Sequence, residues 1–174
     1  MTWHRINTTF TASEAERITG VSAARQRDWR RQGFLPALES GKAGFEAGML
    51  AGMIAAKSLA DAGVPPSAAW QLAKSCSEIM LARALNSGLG VHDPRSLRNE
   101  PLIHLSPVYL TADAKLPRYA ITTDGRSWGW ATTPAEVADH LNLVSVVLDL
   151  ERAVDQLVSR ARKPLVAIVE GQEA

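Results

Sequence analysis

The sequence predicts an α+β chain: an N-terminal helical domain built around a helix-turn-helix, followed by a smaller α+β region with a β-hairpin. Three observations predict it. Thr11-Ala12-Ser13-Glu14 reads as a capping box, and Gly20 and Ser22 then punctuate two short helical periods. Helical periodicity resumes at Leu50 and runs, with a break at Gly63, to Leu85. After a Gly- and Pro-containing stretch, Asp124-Gly125 separates two β-rich runs, a strong hairpin signal. These breaks divide the chain into residues 1–87, a linker over 88–101, and a region over 102–174.

In the first helix the Thr11 hydroxyl can accept from the third backbone N–H, while Glu14 reaches back to the cap. Ala12, Ala15 and Ile18 recur on its inner side, and Gly20 supplies the left-handed residue that ends it. Ser22 caps a second helix from Ala23 to about Gln32, which stops at Gly33 with Pro36 beyond. At roughly 100° per residue, Trp29 marks one face, flanked by Ser22, Arg25 and Gln32, and Arg27 and Arg31 mark the opposite face. Ala23 and Ala24 lie nearer that basic face and are small; Arg30 sits on its shoulder.

Leu50, Ile54 and Leu59 continue a helix to Gly63, and Pro65-Pro66-Ser67 opens another. From Ser67 to about Leu85 the apolar stripe is Ala69, Leu72, Ala73, Cys76, Ile79, Met80 and Leu85, suited either to a twin helix in a dimer or to packing on its own domain. Beyond the linker, Leu102 to Leu110 reads as a strand with Pro107 at an edge or break. Runs at Arg118–Thr123 and Ser127–Thr132 form the hairpin, and Thr133-Pro134-Ala135-Glu136 starts a helix to about Leu141. Leu143 to Leu148 suits a buried strand, and Leu150, Val154, Leu157, Val158 and Ala161 form a final helical face.

The 174 residues suffice for one domain or two small ones with a real core. A net charge of +1 hides an asymmetry: residues 1–36 hold six arginines against three acids, leaving 13 basic and 15 acidic residues elsewhere. Basic charge is concentrated where the two short helices lie, enough to suggest phosphate contact. The single cysteine, Cys76, excludes an intramolecular disulfide, and no leader or long apolar span is read, so a cytoplasmic location is expected.

Residues 10 to about 66 resemble the N-terminal winged helix-turn-helix domain of the MerR family. The resemblance rests on Val21-Ser22 followed by Arg27, Trp29, Gly33 and Pro36, which align with a family pattern of roughly V-S-x-x-T-L-R-Y-Y-E-x-x-G-L-L-x-P. Gln26 and Asp28 stand where the family has leucine and tyrosine, placing the chain among divergent relatives such as regulators carried by phages and mobile elements. Gly41-Lys42-Ala43-Gly44-Phe45 is similar to the family's wing, with Lys42 one position from its arginine. The resemblance implies a DNA-binding domain over residues 1–87, with a recognition helix in the major groove, a wing on the phosphate backbone, and a homodimer on paired half-sites.

The resulting expectation is a sequence-specific regulator of transcription that binds double-stranded DNA through Ser22, Ala23, Ala24, Arg27, Arg30, Arg31 and Lys42. The alternatives are a protein-interaction module, in which residues 102–174 bind a protein partner, and an excisionase-like DNA-architectural factor. Trp128 and Trp130 with Tyr119 across the hairpin could line a ligand pocket, cover the sheet or anchor a dimer. Cys76, His4, His92, His104 and His140 lack the paired spacing of a zinc site, so no metal or other cofactor is expected. With no Gly-rich phosphate loop, H-E-x-x-H or G-x-S-x-G motif, no enzyme is expected either.

Overall fold

A computed structural model describes residues 2–37, 44–86, 91–92, 116–141 and 145–171. The fold is mixed α+β, in the order β1 (Thr2–Asn7), α1 (Ala12–Thr19), α2 (Ala23–Arg31), α3 (Ala47–Asp61), α4 (Pro66–Asn86), β2 (Val91–His92), β3 (Tyr119–Thr122), β4 (Gly129–Ala131), α5 (Pro134–His140), β5 (Val146–Asp149), α6 (Leu150–Ala161) and β6 (Val166–Gly171). Among the described residues no helix is long and apolar enough to cross a membrane.

The capping chemistry settles the helix boundaries. Thr11 accepts from the Glu14 N–H at 3.2 Å while Glu14 accepts from the Thr11 N–H at 2.7 Å, and Gly20 closes α1 at φ 72°. Asp149 caps α6 by accepting from the N–H groups of Glu151 and Arg152, both at 3.1 Å. At α5, Thr133 accepts from the Glu136 N–H, while the Glu136 carboxylate accepts from the Thr132 N–H, one residue earlier than an ordinary capping box.

Helix α3 is the hub. Its buried residues Ala47, Leu50, Ala51, Gly52, Met53, Ile54, Ala55, Ala56 and Leu59 cover every side of the cylinder. A helix apolar all round must be enclosed, and α1, α4 and α6 enclose it. The stripe predicted on α4 is spent inside the chain: Ala69, Leu72, Ala73, Cys76 and Met80 are buried, with Ile79 and Leu85 half-buried against the same core. Helix α6 contributes Leu150, Ala153, Val154, Leu157 and Ala161 to that core. One cluster therefore joins residues on both sides of the predicted linker.

Two sheets flank the helices. In the first, β6 lies between β1, antiparallel from Thr2↔Gly171 to Asn7↔Val166, and β2, parallel at Val91↔Val166. None of these three strands was expected, and β2 falls inside the predicted linker. In the second sheet β3 is central, antiparallel to β4 and β5. The Asp124-Gly125 hairpin is present, but its connection spans residues 123–128 rather than a tight two-residue turn. The Asp124 carboxylate organises it by accepting from the N–H groups of Arg126 and Ser127 at 2.8 and 3.0 Å, which pulls its pKa down to about 2.

The strand expected to be buried over 143–148 needs correction. β5 begins at Val146 and is an edge of its sheet among the described residues; Leu148 is buried, but Val147 is 40% exposed because α5 packs on β3 and β4 instead. The strand predicted at Leu102–Leu110 lies outside the described residues. The aromatic question is partly resolved by Trp128, which packs against the core and donates its indole N–H to the Leu72 carbonyl of α4 at 2.8 Å. It fastens the hairpin to the helices. Replacing Trp128 with Phe keeps much of the ring contact and strands that donor's role, so stability should fall by about 1 kcal/mol, or roughly 2 to 4 °C in melting temperature by calorimetry.

Candidate nucleic-acid interface

The segment of interest is α1, the Gly20–Ser22 connection and α2. Four interactions decide which face of α2 turns inward. Trp29, 4% exposed, meets Trp70 of α4 edge-on with ring centres 5.0 Å apart. Phe34 stacks on the other side of the arrangement, 6.2 Å from Trp70, after Gly33 at φ 76° lets the chain turn back and the Phe34 N–H donate to the Trp29 carbonyl at 2.8 Å. Gln26 is fully buried and donates from Nε2 to the carbonyls of Ala12 at 3.1 Å and Val21 at 2.9 Å. Arg25 lies over the Trp29 ring at 5.2 Å and pairs with Asp61 at 3.6 Å.

Gln26 is the structural residue that motif reading missed. It registered only as a departure from a family leucine, yet its position three residues before Trp29 already placed it on the inward face. Both its amide hydrogens go to carbonyl oxygens, so it ties the connection between α1 and α2 to α2 itself.

The expected site residues divide into distinct environments. Ser22, Ala24, Arg27 and Arg31 are exposed, and Ala23 and Arg30 are half-buried. Ala23, Arg27 and Arg31 follow one another at four-residue intervals on the side away from Trp29. Arg31 pairs with Asp28 one turn back on the surface, where such a pair is worth little and can exchange for another anion. Arg27 has no hydrogen-bond or ion-pair partner among the described residues. Arg30 behaves differently: its guanidinium lies over the Phe45 ring at 4.7 Å, and burial pushes its pKa below the ordinary arginine value. Phe45 in turn exchanges backbone hydrogen bonds with Phe10 at 2.8 and 2.9 Å. Lys42 lies outside the described residues.

The N-terminus of α2 is already furnished. Ser22 accepts from the Arg25 N–H at 3.3 Å, and the Glu16 carboxylate accepts from the Ala23 N–H at 3.2 Å. An incoming phosphate would therefore find the Ala23 and Arg25 amides of this helix end already taken.

The base of the unit is locked to α6. Lys163 pairs with Glu14 at 2.8 Å, donates to the Thr9 carbonyl at 3.0 Å and sits over the Phe10 ring at 4.5 Å. Arg17 donates to the carbonyl of Arg160, and Gln156 donates to the Ile18 carbonyl at 3.0 Å. The Lys163 hydrogen bond, followed by that from the Thr11 backbone, lowers the Glu14 pKa from 4.5 to about 2.

Elsewhere, Cys76 is fully buried, and burial pushes its thiol up to about 12, the opposite of a metal-binding or reactive thiolate. Among the described residues no group of three potential ligands could hold a metal ion. Trp130, 37% exposed, borders a cleft of about 350 Å³ with Ile79, Ala82 and Pro117. No protein-family model, curated protein or solved structure matches the chain.

A carboxylate whose folded pKa lies below its unfolded one stabilises the protein above the unfolded value and loses that contribution as pH falls through the folded value. The advantage of the wild type over Glu14→Gln in thermal unfolding should accordingly be constant above about pH 4.5 and vanish toward about pH 2. An advantage that instead grows on acidification contradicts the assigned pair.

Proposed function

We propose that the protein is a sequence-specific double-stranded DNA-binding regulator of transcription, with α2 as the recognition helix. The observation that carries this reading is the stripe of half-buried Ala23 and exposed Arg27 and Arg31 on the side of α2 away from the buried Trp29, with Arg27 left unpartnered among the described residues. A helix held rigidly by one face and offering small residues, then arginines, on the other suits insertion into the major groove. The resemblance to MerR-like winged helices supports the same reading and adds Lys42 as a phosphate contact. Arg30, stacked on Phe45, serves the interface by positioning α2 against the Phe10–Phe45 bridge. Ser22 and Ala24 complete the exposed first turn.

Paired half-sites call for a homodimer, and since the α4 stripe is buried within the chain, the contact between copies is built from other surface. A second reading, the protein-interaction module, is favoured by the cleft beside Trp130, whose apolar lining and exposed indole suit a protein partner. The excisionase-like architectural factor would use the same α2 face on tandem sites. Genome-wide occupancy mapping separates them: promoter-centred peaks fit the regulator, peaks confined to attachment sites fit the architectural factor, and none fits the module.

On an operator so identified, Arg27→Ala should cost about 1 to 3 kcal/mol of discrimination between operator and mutated operator, measured by titration at matched salt. Unchanged discrimination would remove Arg27 from base recognition. Lys42→Ala should instead weaken binding evenly across sequences and flatten the dependence of log affinity on log salt by about one unit.

A further inference from the structure

We propose that the C-terminal end of α6 is a second phosphate-contacting surface, with Arg162 and Arg160 reaching the backbone of the duplex whose groove receives α2. The inference rests on the DNA-binding reading above and extends it to residues far away in the sequence.

Four cations meet where α6 ends: Arg17, Arg160, Arg162 and Lys163. Two are committed to holding the fold. Arg17 donates to the carbonyls of Arg160 and Ala161, compensating the negative end of the helix, and Lys163 is bound to Glu14 and to the Thr9 carbonyl. The side chains of Arg160 and Arg162 are exposed and have no partner among the described residues. Glu14 is the carboxylate in the cluster, and Lys163 occupies it. The remaining surface is therefore strongly cationic, with two free guanidinium groups two residues apart.

The backbone supplies an independent reason to ask what Arg162 does. It ends α6 at φ 59°, and among the described residues it alone adopts a left-handed conformation without being glycine. Helices that close this way use glycine by preference, as α1 does at Gly20, because a Cβ there is strained. An arginine in that position, whose side chain has no hydrogen-bond, ion-pair or ring partner among the described residues, is a strained residue without a structural role to offset the strain, which points to a role outside the chain.

The placement fits one duplex. Helix α1 stands between the two basic surfaces: its Glu16 touches the first N–H of α2, and the next residue, Arg17, touches the end of α6. Two successive residues of α1 thus join the first turn of α2 to the end of α6. With α2 seated in the major groove, the surface beside it faces the strand that borders the groove. Guanidinium groups suit phosphate oxygens there, as bidentate donors without sequence preference.

Glycine and lysine at position 162 separate this role from a structural one. Arg162→Gly relieves the strained conformation, so its melting temperature should equal or exceed the wild type's, by about 2 to 4 °C at most. The same variant should bind any duplex about threefold to tenfold more weakly near physiological salt, with the salt slope reduced by about one unit and sequence preference unchanged. Arg162→Lys keeps the charge and should keep the slope. A glycine variant of wild-type affinity and slope, or a lysine variant as weak as glycine, overturns the proposal. If that happens while Arg27→Ala still loses discrimination, only the α6 contact falls; if the wild type itself shows no salt-dependent duplex binding, the DNA-binding reading falls with it.

Discussion

The arrangement depends on the part of α3 from Ala47 to Ala56 having no polar side chain to give to water. Its core positions are filled by Leu50, Met53, Ile54 and Leu59 among alanines and glycines, and each large side chain contributes roughly 1.5 to 3 kcal/mol when fully buried. Small residues let neighbouring helices come close, so α4 lies along one side while α1 and α6 close others. Helix α2 does not share in this directly to the same degree. It is held at one remove, through Trp29 against Trp70 on α4 and Gln26 against the carbonyls of Ala12 and Val21. The direction in which the arginine stripe points is consequently set by the packing of α4 on α3.

Charge in this protein is better understood by what each cation is doing than by a total near zero. Arg25, Arg83, Arg118 and Lys163 each bridge elements: Arg25 joins α2 to Asp61 of α3, Arg83 joins α4 to the carbonyls of Leu116 and Pro117, Arg118 meets Asp149 and Glu151 at the start of α6, and Lys163 meets Glu14. Each of these residues already has an anionic or carbonyl partner on another element, so an incoming anion would compete with that partner. Arg27 carries no such duty among the described residues, and Arg31 only a surface pair within its own helix. The division explains why a census of arginines in the first 36 residues overstates the charge left available there.

Local features were legible in the sequence because their causes are local. Capping at Thr11, Ser22 and Thr133 and the turn at Asp124-Gly125 depend on residues within a few positions of one another, and the inward Trp29 follows from helical spacing. The α6 face was visible for the same reason. Strands β1 and β6 were not, since each is specified by a partner about 160 residues distant and neither carries a turn signal that points to the other. Gln26 was read only as a departure from a family leucine; the carbonyls of Ala12 and Val21 reveal how its amide nitrogen is accommodated inside, while its buried Oε1 has no partner among the described residues. The basic end of α6 at Arg160, Arg162 and Lys163 was legible as a local run, but its meeting with Arg17 was not, because only the packed fold brings residue 17 beside 160–163.

The pairing of β1 with β6 bears on how the protein comes into being. During synthesis the strand at residues 2–7 leaves the ribosome long before residues 166–171 exist to pair with it, and Glu14 must likewise wait for Lys163. Such long-range closure slows folding and leaves an early strand edge open to other chains in the interval. The helices around α3 can gather first, but α1, on which α2 leans, receives its final anchorage from α6 and Lys163, made long after it. A nascent chain interrupted before that point would carry the arginine stripe without the support that fixes its direction, so the orientation of that stripe would be set late and all together.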